Sequence, residues 1–204
     1  MNKQLQQEFD AFAAVYDQVT LGELQYDAHK RIPAEMLKLY SPSHASVLDL
    51  GCGTGLSSKL FFEKGYSLTG VDISPEMLKL AQNYPYSELV CGDLEGSSWQ
   101  TAEKQFDFIS CIGVMEFIKD PAAFLKNCRS RLRGNGLIGI TFPLNCYSEA
   151  TIPVYAYQPE QALRLLQEQG FHVKEMVLFT GYFMPEEDIS YLGIIADYPF
   201  SIDQ

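Results

Sequence analysis

Three carboxylates, Asp49, Asp72 and Asp93, each close a short apolar run in the first half of the chain. Asp49 stands just before Gly51-Cys52-Gly53-Thr54-Gly55, a loop whose glycines let the backbone turn tightly and approach a ligand without Cβ interference. Such a loop also suits a pyrophosphate at a helix N-terminus. Two features turn it away from that ligand. The spacing is GxGxG, and the third glycine of the dinucleotide fingerprint would fall at Leu56. More weightily, a carboxylate at position 49 repels a pyrophosphate but favours a ligand carrying positive charge or an amino group. Asp72 follows Gly51 by 21 residues, where a strand-end acid can accept hydrogen bonds from both ribose hydroxyls, as in dinucleotide and adenosyl sites alike. Asp93 can accept from an adenine amino group while Leu94 presents backbone to the ring. Each acid alone is equally well explained as a solvated turn former. Three of them at successive strand ends point to a nucleoside-bearing ligand.

These acids need a sheet to hold them at one edge. Phe9, Phe12, Ala13 and Tyr16, and then Ile32, Met36 and Tyr40, recur at helical spacing on either side of Gly22, and Ser41-Pro42-Ser43 ends the second helix. From residue 46 strands and helices alternate. Ser46–Leu50 is a strand, Leu56, Leu60 and Phe61 mark a helix stopped by Gly65, and Tyr66–Val71 is the next strand. Ser74 and Pro75 cap and open a helix through Ala81. Strands at Glu88–Cys91 and Phe106–Ile112 follow, the latter apolar enough to be buried on both faces. Asp120 and Pro121 open a further helix with Phe124, Leu125, Cys128 and Leu132 as its buried stripe, and Gly134-Asn135-Gly136 turns the chain into the strand Leu137–Phe142. A helix from Pro159 to Gly170 precedes two strands, His172–Thr180 and Tyr191–Ala196, whose short connection makes them antiparallel neighbours at one edge. The alternation predicts a three-layer α/β domain with a mainly parallel sheet, in which ligands bind at the carboxyl ends of the strands.

Composition narrows the function. A net charge of −11 opposes a phosphate-backbone partner. The local cluster Arg129, Arg131 and Arg133 suits a helix C-terminus. Five cysteines, odd in number and without a CxxC, lie away from the three histidines, which indicates reduced thiols in a cytoplasmic protein and no metal site. The first residues, MNKQLQQEFD, are too polar for a signal peptide, and no apolar run approaches membrane-spanning length.

The segments that carry the acids resemble the motifs of class I S-adenosylmethionine-dependent methyltransferases. VLDLGCGTG (Val47–Gly55) is similar to the first motif, GVDIS (Gly70–Ser74) to the second and CGDLE (Cys91–Glu95) to the adenine-binding one. FDFISCIGVMEFIKD (Phe106–Asp120) and LRGNGLIGITFP (Leu132–Pro143) resemble the fourth- and fifth-strand segments. The resemblance implies a Rossmann-like fold with a mostly parallel seven-stranded sheet and an antiparallel edge strand. It also implies one domain over residues 1–204, with residues 1–42 forming part of the cofactor and substrate cover and residues 46–204 the core. S-Adenosyl-L-methionine would be the cofactor and S-adenosyl-L-homocysteine the product. By position, Asp49, Gly51 and Gly53 would surround the methionine moiety, Asp72 would bind the ribose and Ile73 would pack on the adenine, with Cys52 and Met77 also among the cofactor-binding residues. Asp93 and Leu94 would fix the adenine edge, Cys111 would line the far side, and Tyr16 would reach the cofactor.

Many such proteins carry Glu-His after the fourth strand, whereas Glu116 here is followed by Phe117. Glu116 is therefore the candidate base, with a helix-start carboxylate as its bland alternative. An in-line methyl displacement needs alignment more than a base when the nucleophile is a thiol, a carboxylate or an activated carbon. Tyr147, Tyr155, Tyr157, Tyr182 and Phe183 are candidate walls for a small-molecule acceptor, or plain core. The expected partner is a small molecule, with no nucleic acid or membrane, for a monomer or homodimer. A cofactor-binding scaffold without turnover, or a dinucleotide-dependent oxidoreductase, are the alternatives.

Overall fold

The computed structural model describes residues 2–96, 99, 104–146 and 152–199. Seven strands, β1 (Ser46–Leu50), β2 (Ser67–Asp72), β3 (Glu88–Cys91), β4 (Phe106–Cys111), β5 (Leu132–Pro143), β6 (His172–Tyr182) and β7 (Ile189–Asp197), form one sheet in the order β3-β2-β1-β4-β5-β7-β6. The first five pair in parallel. β7 runs antiparallel to both β5 and β6, so the reversed strand lies one in from the edge that β6 forms. The short β6–β7 connection dictates this, because antiparallel strands can be joined by a hairpin while parallel ones need a crossover.

Alternate residues feed two cores. Leu48, Leu50, Ile138, Ile140 and Ile194 face one side, where α5 (Pro121–Arg131) contributes Phe124, Leu125 and Cys128, and α6 (Pro159–Glu168) contributes Ala162 and Leu166. Val47, Leu137 and Ile195 face the other, against Ile32 and Met36 of α2 (Ala28–Leu39) and Phe61 of α3 (Lys59–Glu63). The period of two along each strand produces this division without further instruction. The helix α2 sits tight on the sheet because β5 offers Gly139: a Cβ there would lie 2.3 Å from Met36 Sδ. Caps act as the sequence suggests. Ser74 Oγ accepts from Met77 N at the start of α4 (Pro75–Ala81), and Asp120 Oδ1 accepts from Ala123 N at the start of α5.

Two local expectations change. Gly134-Asn135-Gly136 does not precede the fifth strand but bulges within it. The ladder already pairs Phe106 with Leu132 and resumes at Phe108 with Leu137, while Asn135 takes φ +65°. The first helix is also broken. α1 (Lys3–Phe12) gives way to a 3₁₀ turn at Ala13–Val15 and a π-helical stretch at Gln18–Glu23 that includes Gly22. Among the described residues no helix is long and apolar enough to cross a membrane.

Candidate active site

The glycine loop is built by β1 and β2 together. Gly51 N and Cys52 N both donate to Val71 O, at 2.8 and 3.0 Å, which curls the chain back over the sheet edge. Gly51 and Gly53 hold φ of +70° and +52°, a region glycine enters without penalty. They differ in what surrounds them. A Cβ on Gly51 would lie 2.3 Å from Val114 Cγ2, whereas one on Gly53 would meet nothing within 4 Å. The open side of Gly53 is therefore space left for a ligand.

Asp72 fastens this loop. Its Oδ2 accepts from Gly53 N and its Oδ1 from Ser74 N, both at 2.8 Å. Burial raises its pKa to about 6, against the pull of those backbone donors. Each oxygen keeps acceptor capacity for a further donor. Asp72, Gly51, Gly53, Ile73 and Met77 line a cleft at the sheet edge. Asp93, Leu94 and Tyr16 line it as well. Asp93 receives Glu95 N at 3.0 Å, and the indole N–H of buried Trp99 donates to Leu94 O at 2.9 Å, which anchors the loop after β3 and engages that carbonyl within the protein.

Three nominated residues are placed elsewhere. Asp49 is 1% exposed and lies behind the loop. Its Oδ2 accepts from Ser58 Oγ (2.7 Å), Ser57 Oγ (2.9 Å) and Tyr86 OH (3.0 Å), while Oδ1 has no hydrogen-bond partner among the described residues. Burial raises its pKa, and those hydroxyls together with Ser110 hold it down. The charge complementarity inferred for a ligand is met by the protein's own hydroxyls, and Asp49 braces the turn instead of lining the cleft. Cys52 lies beneath the loop, its Sγ beside Gly70, and lines a smaller cavity of about 370 Å³ with Tyr26, His29 and Thr54. Cys111 is fully buried in the core between sheet and α5; strand alternation turns it inward, and the following Ile112 and Gly113 reach the cleft.

A cover from residues 1–42 was expected, but of its residues only Tyr16 was named as reaching the cofactor. Asn2, the N-cap of α1, lines the cleft with Leu5 and Phe9, and Asn2 N donates to Asp93 Oδ2 at 2.8 Å. Asp10 accepts from Ser74 Oγ at 2.5 Å, and Asp17 from Thr54 Oγ1 at 2.7 Å, so the N-terminal segment is tied to three loops at the sheet edge. In the sequence α1 shows an apolar stripe, yet none of its residues is buried.

A second chamber of roughly 1080 Å³ adjoins the cleft and shares Phe9, Tyr16, Gly113 and Phe117 with it. Glu116 lines this chamber and is 4% exposed. Its Oε1 accepts from Tyr191 OH at 2.7 Å, and Oε2 is buried without a partner among the described residues. Burial lifts its pKa to about 7, with the Tyr191 hydrogen bond opposing the rise. Of the aromatic candidates, Tyr182 lines the chamber. Tyr157 is core, donating to Met115 O at 3.0 Å, while Tyr155 and Phe183 are exposed. Tyr147 lies outside the described residues. Among the described residues no cluster of His, Cys, Asp or Glu is arranged to hold a metal ion.

Comparison with known proteins places this architecture. Residues 48–140 match a family model described as a methyltransferase domain. The ubiquinone biosynthesis O-methyltransferase of Xanthomonas axonopodis pv. citri is 31% identical over 140 residues, which cover 67% of this chain and 58% of that protein. The chain thus spans under two thirds of the length of the curated relatives it matches. The fold matches the 1,6-didemethyltoxoflavin-N1-methyltransferase of Burkholderia thailandensis, solved with 1,6-didemethyltoxoflavin and S-adenosylhomocysteine, with TM-score 0.76, 20% identity and coverage of 96% of this chain and 88% of that one. It also matches the 4+2 cyclase SpnF, with TM-score 0.78, 16% identity and coverage of 98% and 97%. With its strand order, glycine loop and strand-end acids, the chain belongs to the class I S-adenosylmethionine-dependent methyltransferase family.

Proposed function

We propose that the chain binds S-adenosylmethionine in the cleft and transfers its methyl group to a small molecule held in the adjoining chamber. The observation that carries this is the shared wall. Phe9, Tyr16, Gly113 and Phe117 border both spaces, so a donor in one and an acceptor in the other meet across a single boundary.

The residues present fit the cofactor. Gly53 leaves open room where a Cβ would project, Asp72 retains acceptor capacity for ribose hydroxyls, and Asp93 brings a carboxylate to the same cleft. Ile73, Met77 and Leu94 supply apolar surface for a flat base. When bound, the cofactor supplies an electrophilic methyl group on a positively charged sulfur. The protein's own part is alignment and exclusion of water. Tyr16 is half-buried and stays protonated, because loss of solvent raises its pKa and the charges of Asp72 and Glu116 add to that rise. Good alignment of reacting groups is worth about 7–11 kcal/mol of barrier, so a closed, apolar boundary can carry much of the rate. The N-terminal segment, tied at Asn2, Asp10 and Asp17, supports reading residues 1–42 as the cover of one domain over residues 1–204.

The acidic charge and the five cysteines, none in a disulfide, support a cytoplasmic protein acting on small molecules rather than on nucleic acid. Calorimetric titration tests the cofactor. S-Adenosylmethionine and S-adenosylhomocysteine should bind and NAD should not; NAD binding with no response to the adenosyl compounds refutes the proposal.

A further inference from the structure

The chamber beside the cofactor cleft has an uneven wall. Phe9, Phe12, Phe117, Tyr182, Val154 and Met184 make it aromatic and apolar. Glu8 stands at the exposed rim, and within the wall the ionisable side chain that holds a charge is Glu116. Its carboxylate is held from one side only. Tyr191, on β7, donates to Oε1, while Oε2 is buried without a partner. A buried polar atom left without a hydrogen bond costs about 1–3 kcal/mol, and more when charged, so Oε2, on a side chain that lines the chamber, is the oxygen that a donor arriving there would satisfy once the carboxylate turns to it.

The groups that feel the charge of Glu116 are Tyr16, Tyr26, Tyr157, Tyr191, Cys111 and Cys146. All of them have raised pKa values and are neutral at neutral pH. None can hold an acceptor that arrives as an anion. A neutral ring hydroxyl needs flat apolar walls and one proton acceptor, and the chamber provides both.

Resting on the cofactor reading above, we propose that the acceptor is a flat, neutral ring compound bearing a hydroxyl, and that Glu116 is the catalytic base that receives the hydroxyl proton. The oxygen's lone pair forms the new O–CH3 bond as the S–CH3 bond breaks, its electron pair staying on sulfur to leave a neutral thioether. The hydroxyl proton passes to Oε2 of Glu116 and from there to solvent. Tyr191 is a positioning residue that keeps the carboxylate turned to the chamber and favours its charged form.

The test uses the whole chain with methyl-labelled S-adenosylmethionine and three probes of one shape: 2-naphthol, 2-naphthalenethiol and 2-naphthylmethylamine. Wild-type protein should methylate 2-naphthol, with kcat rising as Glu116 ionises through about pH 7. Glu116→Gln keeps an acceptor for Tyr191. It should lower 2-naphthol turnover by about 10²–10⁴-fold, the usual scale of general-base catalysis. Its affinity for S-adenosylhomocysteine should stay within twofold, and the thiol, which arrives at pH 8 as an anion beside the carboxylate of the wild-type protein, should not lose turnover in this variant. Tyr191→Phe should move the pH profile upward, which a merely structural role would not do. Unchanged 2-naphthol turnover in Glu116→Gln, equal loss with alcohol and thiol, or methylation of the amine alone overturns the proposal. Wild-type protein that binds S-adenosylhomocysteine but methylates no ring probe overturns the acceptor class and leaves the cofactor reading standing. Failure to bind S-adenosylhomocysteine at all removes both.

Discussion

Gly51 and Gly53 stand two residues apart in one loop, both with left-handed backbone, yet alanine at the two positions should fail in different ways. At either site a left-handed alanine costs about 1–2 kcal/mol. At Gly51 the new methyl would also lie 2.3 Å from Val114 Cγ2, and forcing a methyl into packed surroundings adds about 1–3 kcal/mol. Gly51→Ala should therefore lose about 2–5 kcal/mol, a large part of the ~5–15 kcal/mol that holds a typical domain folded. Gly53→Ala meets no protein atom within 4 Å and should lose only the backbone share. Its methyl instead occupies cleft space, so affinity for S-adenosylhomocysteine should fall at least tenfold, or about 1.4 kcal/mol. Urea denaturation of the free protein and calorimetric titration of the ligand separate the two effects. Adding Val114→Ala to Gly51→Ala should relieve the contact, giving a coupling energy of at least about 1 kcal/mol. Additive behaviour of that pair, or wild-type ligand affinity in Gly53→Ala, refutes the steric account of the loop.

Asp72→Asn should weaken S-adenosylhomocysteine binding at neutral pH. In wild-type protein, affinity should fall as pH drops below about 6, where the carboxylate gains a proton, and titration at pH 5, 6 and 7 checks both. Asp49 behaves differently because its partners are the protein's own hydroxyls. Asp49→Ala should lower stability by about 1–3 kcal/mol by orphaning buried donors, while Asp49→Asn, which keeps a carbonyl for those hydroxyls, should bind ligand within a few-fold of wild type; calorimetry of the Asn variant decides. Burial raises the pKa of Asp72 to about 6 and of Glu116 to about 7. The folded state thus holds these protons more firmly than the unfolded chain, whose carboxylates titrate near ~4. Their contribution to stability is greatest below that value and declines as pH rises to about 7. The urea midpoint of Glu116→Gln should follow pH less steeply than wild type between pH 5 and 7, and identical slopes would remove Glu116 from this linkage.

Much of the site was legible because its signals are local. A strand followed by glycines, and an acid at the next strand's end, are short-range patterns set by backbone geometry, so Gly51, Gly53, Asp72, Ile73, Met77, Asp93 and Leu94 all reach the cleft. Asp49 and Cys111 were misplaced because strand alternation depends on register: one residue's shift sends a side chain to the opposite face. Cys111 faces the α5 side, and Asp49 turns toward Ser57, Ser58 and Tyr86. Nothing near position 49 announces that Ser57, Ser58 and the more distant Tyr86 converge there.

The alternation of apolar runs, caps and glycines determined the elements, the parallel sheet and the edge at which a ligand binds, since each follows from backbone sterics and periodicity within a few residues. Only the tertiary structure decided which side chains share a space. α1 crosses to Asp93 and Ser74, Val114 closes on Gly51, and Tyr191, 75 residues from Glu116, takes one of its oxygens and leaves the other bare. Those contacts arise between segments far apart in the chain, where packing rather than local propensity chooses the partner.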